Sequence, residues 1–319
     1  MGRVLVTGAA GFIAGHLARQ LLERGEHVVG LDNFDPYYSP DIKRRNVARL
    51  SAHPRFAFCE GDVRDARAIS TLVRENEIDR IVHLAALAGV RASIERAADY
   101  QAVNVGGAIS LLDAARATGV GQFVFISTSS VYGAGTPVPF AESAAADRPL
   151  APYPASKRAA EMLAYAYHNL FGLNVTCLRL FTVYGPHVRP DMMLYQVAES
   201  ATTGREVVMF GDGKMRRDWT YVSDIVAGIV AALDRPLGYD ILNLGRGEPV
   251  LLADFVAAVE QLAGRQANIV RRPTPASEPP ITFADITRAR RLLAYEPRVS
   301  VNQGLSLFWE WYGAASRES

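Results

Sequence analysis

The sequence predicts an α/β protein with a doubly wound parallel sheet and a smaller α/β lobe. Over the first 180 residues, short β-rich runs alternate with segments of helical periodicity. A strand–helix–strand repeat implies parallel pairing, because each crossover has to return the chain to the same end of the sheet. The length of 319 residues also exceeds the size of one small core, so we expect two domains.

The order of the elements assigns the two domains. Strands are predicted near 3–7, 27–31, 55–59, 80–84, 122–127 and 174–180, and helices near 11–24, 66–75, 94–118 and 152–171. Beyond residue 180, Pro and Gly interrupt the alternation, which is typical of a lobe of loops and short elements. A helix near 223–234 and a strand near 240–244 are regular enough to rejoin the sheet. We therefore assign residues 1–180 plus about 223–246 to the sheet domain, and residues 181–222 plus about 247–319 to the lobe.

Composition limits the partners and the location. The net charge is +1, from 34 basic and 33 acidic residues, so no excess charge is present to bind nucleic acid or an anionic membrane nonspecifically. The sequence contains no apolar run of about 18 residues and no basic segment followed by an apolar stretch at its start, which predicts a cytoplasmic protein. Cys59 and Cys177 lie in apolar, strand-like contexts, which predicts buried structural thiols rather than a disulfide or a metal site. No metal is predicted.

The turn after the first strand predicts a nucleotide site of the Rossmann type. Gly8 permits a tight turn, and Gly11 lets the backbone approach a pyrophosphate, whose charge meets the N–H groups of the helix that opens with Phe12 and Ile13. Asp32 ends the second strand about 20 residues later, where its carboxylate can bond a ribose hydroxyl. Strand, glycine turn, helix and acidic residue in this order predict a dinucleotide cofactor.

Asp32 also favours NAD over NADP. A carboxylate about 4 Å from a phosphate charge costs roughly 4 kcal/mol at an effective dielectric near 20. The alternative is that Lys43, Arg44 and Arg45 fold back and neutralise a 2′-phosphate, but a basic cluster this far downstream is typical of a solvated helix face. Asp62 follows the third strand at the same edge of the sheet and is predicted to meet the adenine.

Thr128, Tyr153 and Lys157 form the predicted catalytic set. The four-residue spacing puts the phenol and the ammonium on one helix face, although chance alone supplies that spacing with odds of roughly one in eight. The context decides: the strand near 122–127 delivers hydroxyls to the ligand-binding edge of the sheet. Lys⁺ and a positive nicotinamide favour the phenolate, so Tyr153 can accept a substrate proton while Thr128 bonds the same oxygen. The alternative is a core tyrosine with a surface lysine.

Together these features resemble the extended short-chain dehydrogenase/reductases that modify nucleotide sugars. The matching segments are 7–11, 32–33, 83–86, 128 with 131–133, 153–157, 184–186 and 217–221. The resemblance covers essentially the whole chain and departs at Ala14, where the family usually has a third glycine. It implies NAD as cofactor, and it extends the cofactor site to Asn33, Leu84, Ala85, Ala86 and Asn104. It also implies a homodimer that packs helices 94–118 and 152–171.

Within that family the chain is most similar to UDP-glucuronate 4-epimerases, through segments 31–38, 88–91 and above all 181–192. The resemblance implies that Thr182 and Arg189 meet the sugar carboxylate, and arginine can do so with two parallel hydrogen bonds. A surface or interdomain salt bridge is the alternative for Arg189. The remaining substrate contacts implied are Arg91, Thr128, Ser129 and Ser130 near the sugar, Arg217 on the diphosphate, and Val208 and Phe210 at the uracil. Segment 277–279 replaces the family's Gly-Asp and receives no phosphate role.

Neighbouring reactions of the family are disfavoured. Its dehydratases carry an Asp-Glu pair after the catalytic threonine and its decarboxylases a glutamate, whereas this chain has Ser129 and Ser130. The expected reaction is therefore NAD-dependent 4-epimerisation of UDP-glucuronate to UDP-galacturonate through a 4-keto sugar. The alternatives are a UDP-glucose/UDP-galactose 4-epimerase, which shares every catalytic residue, and an inactive NAD-sensing or scaffold protein, which the complete catalytic set disfavours.

Overall fold

The structure, a computed structural model, describes residues 2–315; residues 1 and 316–319, which the domain prediction includes, lie outside the described residues. Its strands are β1 (Arg3–Thr7), β2 (His27–Asp32), β3 (Phe56–Glu60), β4 (Arg80–His83), β5 (Gln122–Thr128), β6 (Val175–Leu180), β7 (Thr182–Tyr184), β8 (Val207–Phe210), β9 (Arg216–Arg217), β10 (Trp219–Tyr221), β11 (Tyr239–Leu244), β12 (Val250–Leu251) and β13 (Ile269–Arg272). Its helices are α1 (Phe12–Glu23), α2 (Pro40–Ser51), α3 (Ala66–Glu75), α4 (Ala92–Glu95), α5 (Ala97–Tyr100), α6 (Gly107–Thr118), α7 (Pro152–Phe171), α8 (Met193–Thr203), α9 (Val222–Asp234), α10 (Leu252–Ala263), α11 (Thr287–Leu293) and α12 (Val301–Ala315).

The predicted doubly wound sheet is confirmed. Seven strands pair in the order β3-β2-β1-β4-β5-β6-β11, and every neighbouring pair is parallel. Helices α1, α2 and α9 cover one face and α3, α6 and α7 the other, each over its own apolar core. The order reverses direction between β1 and β4, and a sheet of this kind binds its ligands beyond the carboxyl ends of the strands at that point.

The later part of the chain contributes one strand to the central sheet and forms several small sheets. Strand β11 rejoins the sheet beside β6, as predicted. The other late strands form small two-stranded sheets, β7 with β10, β9 with β12 and β8 with β13. Asp218 joins several of these elements, because its buried carboxylate accepts hydrogen bonds from the backbone N–H groups of Arg246, Gly247 and Ala284. The lobe is therefore fastened to the sheet domain close to β11.

Three local predictions are wrong in detail. The continuous helix predicted near 94–118 is divided into α4, α5, a π-helical segment at Gln101–Gly106 and α6. Helix α2 was not predicted, because its sequence is strongly polar and only Lys43, Val47 and Leu50 are buried. Cys177 is a buried free thiol, but Cys59 is half-exposed, because it lies on the edge strand β3.

Candidate active site

A cavity of about 700 Å³ opens at the carboxyl ends of the central strands and continues into the lobe. It brings together most of the residues that the sequence predicted for cofactor and substrate. Those that line it are Gly8, Gly11, Phe12, Ile13, Asp32, Asn33, Leu84, Ala85, Ala86, Arg91, Thr128, Ser129, Ser130, Tyr153, Lys157, Thr182, Arg189, Phe210 and Arg217. One continuous space thus connects the glycine turn with the lobe.

The glycine turn makes a cradle that a side chain would fill. Gly8 has a φ of +72°, and a Cβ there would lie 2.9 Å from the backbone N of Ala85. Gly11 precedes α1 and makes no side-chain cap, so the first N–H groups of the helix are free to meet an anion. Ala14, which stands in place of the usual third glycine, is buried within α1. The turn fits a pyrophosphate.

Asp32 ends β2 beside this turn. Its carboxylate accepts hydrogen bonds from the backbone N–H groups of Phe34, at 2.8 Å, and Ala10, at 3.2 Å. Burial raises the pKa of Asp32, and the Phe34 N–H and the charge of Lys43 act in the opposite direction. The acidic side chain is therefore fixed by the backbone at the wall of the cavity.

Lys43 corrects the expectation of a solvated basic face. It is only 7% exposed, its Nζ donates to the Asp35 carbonyl at 2.7 Å, and it lies 4.7 Å from the centre of the Tyr38 ring. Burial lowers its pKa, whereas Asp32 raises it. Lys43 lines the cavity next to Asp32. Sequence reasoning missed this position because no helical periodicity marks α2.

The predicted catalytic set lies where β5 and α7 meet. Thr128 ends β5, and Tyr153 and Lys157 occupy the first turns of α7. The Lys157 Nζ donates to the Ile126 carbonyl at 2.7 Å and lies 4.8 Å from the centre of the Phe125 ring. Burial lowers the pKa of Lys157 to about 7, with Glu161 opposing that shift.

The pKa of the Tyr153 phenol is shifted in the direction opposite to the one expected. Burial raises this pKa, and the opposing influences are the nearby Thr128 hydroxyl and the charge of Arg189. The Lys157 ammonium bonds the backbone rather than the phenol, so the predicted lowering by lysine is not found among the protein groups. The positive charge of a nicotinamide is the remaining source of the predicted effect.

Arg189 faces the same cavity from the lobe. It pairs with Asp191 through Nε–Oδ1 and Nη2–Oδ2 contacts of 2.9 Å each, and the Tyr37 hydroxyl donates to Asp191 at 3.3 Å. The salt bridge of Arg189 is thus a local pair within one loop and does not join the two domains. Because Asp191 takes one edge of the guanidinium, a ligand carboxylate has to approach its other nitrogen, Nη1. Asp191 lies within the segment 181–192 that carries the resemblance, but no spacing pattern marks it as the partner of Arg189.

Two further arginines of the lobe side have unexpected partners. Arg91 lies with its guanidinium 4.5 Å from the centre of the Phe210 ring, which joins the loop after β4 to β8 across the cavity. Arg217 pairs with Glu278 at 3.0 Å, so the segment that received no phosphate role carries a carboxylate that holds the predicted phosphate partner. Such a pairing between distant loops leaves no sequence pattern.

Three predicted site residues do not line the cavity. Asn104 is buried and ties the segment after β4 to α7, since its amide donates to the Leu87 carbonyl and the Ser156 hydroxyl. Asp62 bonds Asn33 and Arg64, and these bonds, with Arg64 the largest cause, lower its pKa to about 2. Val208 lies in β8 two residues before Phe210, and only Phe210 reaches the cavity.

The described residues contain neither a membrane-spanning helix nor a metal-binding cluster. Between residues 2 and 315, no helix is both apolar and long enough to cross a bilayer. Over the same range, His, Cys, Asp and Glu side chains do not gather in threes in a way that would hold a metal ion.

Comparison with known proteins gives matches over nearly the whole chain. Residues 4–245 match the model of the NAD dependent epimerase/dehydratase family. A UDP-glucuronate 4-epimerase of Thermodesulfobacterium geofontis is 39% identical over 312 residues, covering 98% of this chain and 96% of the relative.

Solved structures agree with this match. The UDP-glucuronic acid 4-epimerase of Bacillus cereus, in complex with UDP-glucuronic acid and NAD, superimposes with a TM-score of 0.91 at 35% identity, covering 98% of this chain and 99% of that one. A UDP-glucose 4-epimerase of Thermotoga maritima with UDP-glucose superimposes with a TM-score of 0.90 at 29% identity, covering 98% and 99%. Enzymes that act on the uronate and on the neutral sugar share this fold. The choice between the two substrates therefore has to be argued from the residues of the site.

Proposed function

The chain belongs to the NAD-dependent epimerase/dehydratase family, and we propose that it interconverts UDP-glucuronate and UDP-galacturonate by NAD-dependent epimerisation at C4. The observation that carries the choice of a uronate is the position of Arg189, whose guanidinium, held by Asp191, lines the same cavity as the Tyr153 phenol. A neutral hexose requires no cation beside its reacting hydroxyl, whereas a carboxylate at C5 does.

NAD is the cofactor of this family, and the cradle at Gly8, the uncapped start of α1 and the buried Asp32 fit it. The residues proposed to hold it are Gly8, Gly11, Phe12, Ile13, Asp32, Asn33, Lys43, Leu84, Ala85 and Ala86, with Tyr153 and Lys157 on the nicotinamide side. Hydride removal from C4 and its return are the chemistry that NAD supplies when bound. Asp62 and Asn104 are proposed to act behind this wall, through Asn33 and Leu87.

The chain's own residues then handle the proton. Tyr153, as phenolate, accepts the proton of the C4 hydroxyl, and the Thr128 hydroxyl, which lines the same cavity, bonds the same substrate oxygen. Lys157 holds positive charge beside the phenol from its anchor on the Ile126 carbonyl. After the 4-keto sugar has rotated in the cavity, the opposite face of C4 is presented for reduction, and Tyr153 returns the proton to the C4 oxygen.

The carboxylate contacts have a second consequence. A 4-keto uronate is a β-keto acid, which loses carbon dioxide when its carboxylate bond aligns with the carbonyl π system. We infer that Arg189, Thr182 and Ser129 hold the carboxylate away from that alignment. All three line the cavity, and no carboxylate stands at positions 129 and 130 to compete with it.

The nucleotide is proposed to lie in the lobe of residues 181–222 plus about 247–319. Arg217 is proposed to meet the diphosphate after leaving Glu278, and Phe210, held under Arg91, to pack against the uracil. Val208 is proposed to support that wall from the same face of β8.

We also propose a homodimer that packs α6 and α7 of two chains, in a cytoplasmic protein. Helix α7 carries Met162, Tyr165 and Leu170 at 56%, 53% and 68% exposure. Several large apolar side chains exposed on one helix are typical of an interface.

The reaction is tested by separate incubations of the enzyme with UDP-glucuronate, UDP-glucose and UDP-xylose, with the products identified by proton NMR. We expect conversion of UDP-glucuronate to UDP-galacturonate with a kcat/KM at least tenfold above that for UDP-glucose. Epimerisation of UDP-glucose alone would overturn the proposal and favour the neutral-sugar enzyme.

A further inference from the structure

A buried ion pair lies directly behind the catalytic residues. Glu161 is 0% and Arg179 1% exposed, and they are joined by Nε–Oε1 and Nη2–Oε2 contacts of 3.0 and 2.8 Å. Neither residue lines the cavity. Moving two charges out of water costs free energy that their attraction does not reliably recover, so fold stability alone is a weak reason for such a pair.

The pair is connected to the catalytic set through β5. The Ser127 hydroxyl donates to the Glu161 carboxylate at 2.6 Å, and Ser127 stands opposite Arg179 in the β5–β6 register. On either side of Ser127 are the Ile126 carbonyl, which accepts from Lys157, and Thr128. Three consecutive residues of β5 therefore meet Lys157, Glu161 and the reacting oxygen.

Helix α7 aligns the same groups. Tyr153, Lys157 and Glu161 follow one another at four-residue intervals, so they lie along one face that points to β5. Glu161 is thus one turn behind Lys157, as Lys157 is one turn behind Tyr153. Arg158, partly exposed, pairs with the outer oxygen of Glu161 at 3.0 Å. The carboxylate is held from three sides.

Among the titratable groups around Lys157, Glu161 is the one that carries a negative charge near pH 7. From β6, Cys177 has a pKa raised by burial well above that of a free thiol, and from β4, His83 has a pKa lowered by burial to about 3, so both are neutral near pH 7. Tyr153, on α7, has a raised pKa. Burial works against the Lys157 ammonium, and Glu161 is the largest influence in its favour.

We propose that Glu161 is a positioning residue for the reaction: held by Arg179 and Ser127, its buried carboxylate keeps Lys157 protonated and seated against β5 without touching substrate or cofactor. The inference rests on the proposed acid–base role of Tyr153 and Lys157. The Glu161–Arg179 ion pair would then help to set the charge of Lys157 in the active site.

The chain has only three lysines, at positions 43, 157 and 214, so the lysine charges can be titrated directly. The NAD⁺-bound protein is labelled with [ε-¹³C]lysine, and its NMR signals are followed from pH 5.5 to 10. Lys157→Met assigns the signal of Lys157. Two neutral pairs, E161Q/R179M and E161Q/R179Q, replace the ion pair, since buried pairs often tolerate neutral groups of similar size.

We expect both neutral pairs to lower the titration midpoint of Lys157 by about one pH unit, a tenfold change in the ratio of ammonium to amine. The alkaline limb of kcat moves to lower pH in parallel, with KM changed less than twofold. The matched control is E26Q/R80M, which neutralises another poorly exposed ion pair, with a 2.6 Å contact, between the start of β4 and the segment before β2. That variant leaves the Lys157 midpoint unchanged.

An unchanged Lys157 midpoint in a folded neutral pair overturns the inference. Loss of the fold in both neutral pairs overturns it as well, because it makes the ion pair a structural requirement. The lysine titration needs no sugar substrate. A failure of the UDP-glucuronate assay would therefore count against the proposed reaction and leave this result standing.

Discussion

Arg189 donates through Nε and Nη2 to the two carboxylate oxygens of Asp191, with both distances at 2.9 Å. The guanidinium is thereby fixed in the plane of Asp191, at the cavity that also holds Tyr153. Burial works against its charge, but Asp191 keeps the pKa of Arg189 far above neutral pH. A cation held rigidly at the cavity that Tyr153 lines is the feature from which the first two predictions follow.

Arg189→Ala is expected to raise the KM for UDP-glucuronate about ten- to hundredfold, because a hydrogen bond to a charged group contributes roughly 1.5–3 kcal/mol. Release of a UDP-pentose should appear in the product NMR spectrum, since the carboxylate is no longer held. Arg205→Ala, at an exposed arginine of the lobe, is the matched control. Unchanged affinity for UDP-glucuronate would show that Arg189 does not bind the sugar carboxylate.

Asp191→Asn is expected to raise the same KM about three- to tenfold with a smaller change in kcat, because the cation remains but loses its charged holder. Tyr37→Phe, which removes only the 3.3 Å contact to Asp191, should change KM less than twofold. Steady-state kinetics on both variants measures this. A KM that falls in the Asn variant would mean that Asp191 competes with the substrate carboxylate.

Tyr153→Phe should lower kcat by about 10²- to 10⁴-fold, the usual contribution of a positioned acid–base group. Binding of NAD⁺, followed by calorimetry, should stay within threefold, since the ring is retained. Tyr165→Phe on the outer face of α7 serves as the control. Substantial epimerisation by the Phe variant would show that a group other than Tyr153 transfers the proton.

His83 should make the protein sensitive to acid. Its folded-state pKa of about 3 lies below the free value of 6.5, so below pH 6.5 the unfolded chain gains a proton that the folded chain does not. The free energy of unfolding is thus expected to fall by up to about 1.4 kcal/mol per pH unit between pH 6.5 and 3 from this group.

Urea unfolding of the parent and of His83→Asn at pH 7.5 and 5.0 measures that contribution. Asn offers a polar atom near that of Nδ1, which lies 2.8 Å from the Thr7 hydroxyl. The loss of stability between the two pH values should be smaller in His83→Asn than in the parent, and unaltered in the exposed control His27→Asn. Equal losses in all three proteins would contradict the prediction.

Met162→Glu tests the proposed dimer. A charge at the centre of the exposed face of α7 should convert the dimer to a monomer by light scattering, because a buried unpaired carboxylate is costly. Leu307→Glu, at an exposed leucine of α12, should leave the mass unchanged. A monomeric parent protein, or a dimeric Met162 variant, would exclude an interface on this face.

Much of the fold follows from local pattern. Gly8 and Asp32 identify the nucleotide turn because each stands at the end of a strand, and parallel strands bring their carboxyl ends to one edge. The hydroxyls after β5 and the pair on α7 follow for the same reason. Helix α2 could not be predicted because it lacks an apolar stripe. The π-helical break before α6 could not be predicted because the apolar stripe continues through it.

The sequence by itself determined the sheet and predicted the cofactor turn and the catalytic set, because their positions depend on short-range periodicity and on strand ends. The tertiary structure alone decided which side chains those residues meet: Asp191 on Arg189, Glu278 on Arg217, and Asn104 turned into the core. It also placed Lys43 at the cavity and Glu161 behind Lys157. These contacts join segments whose separation in sequence is not periodic, so they are set by the packing of whole elements and by the free energy of burying charge.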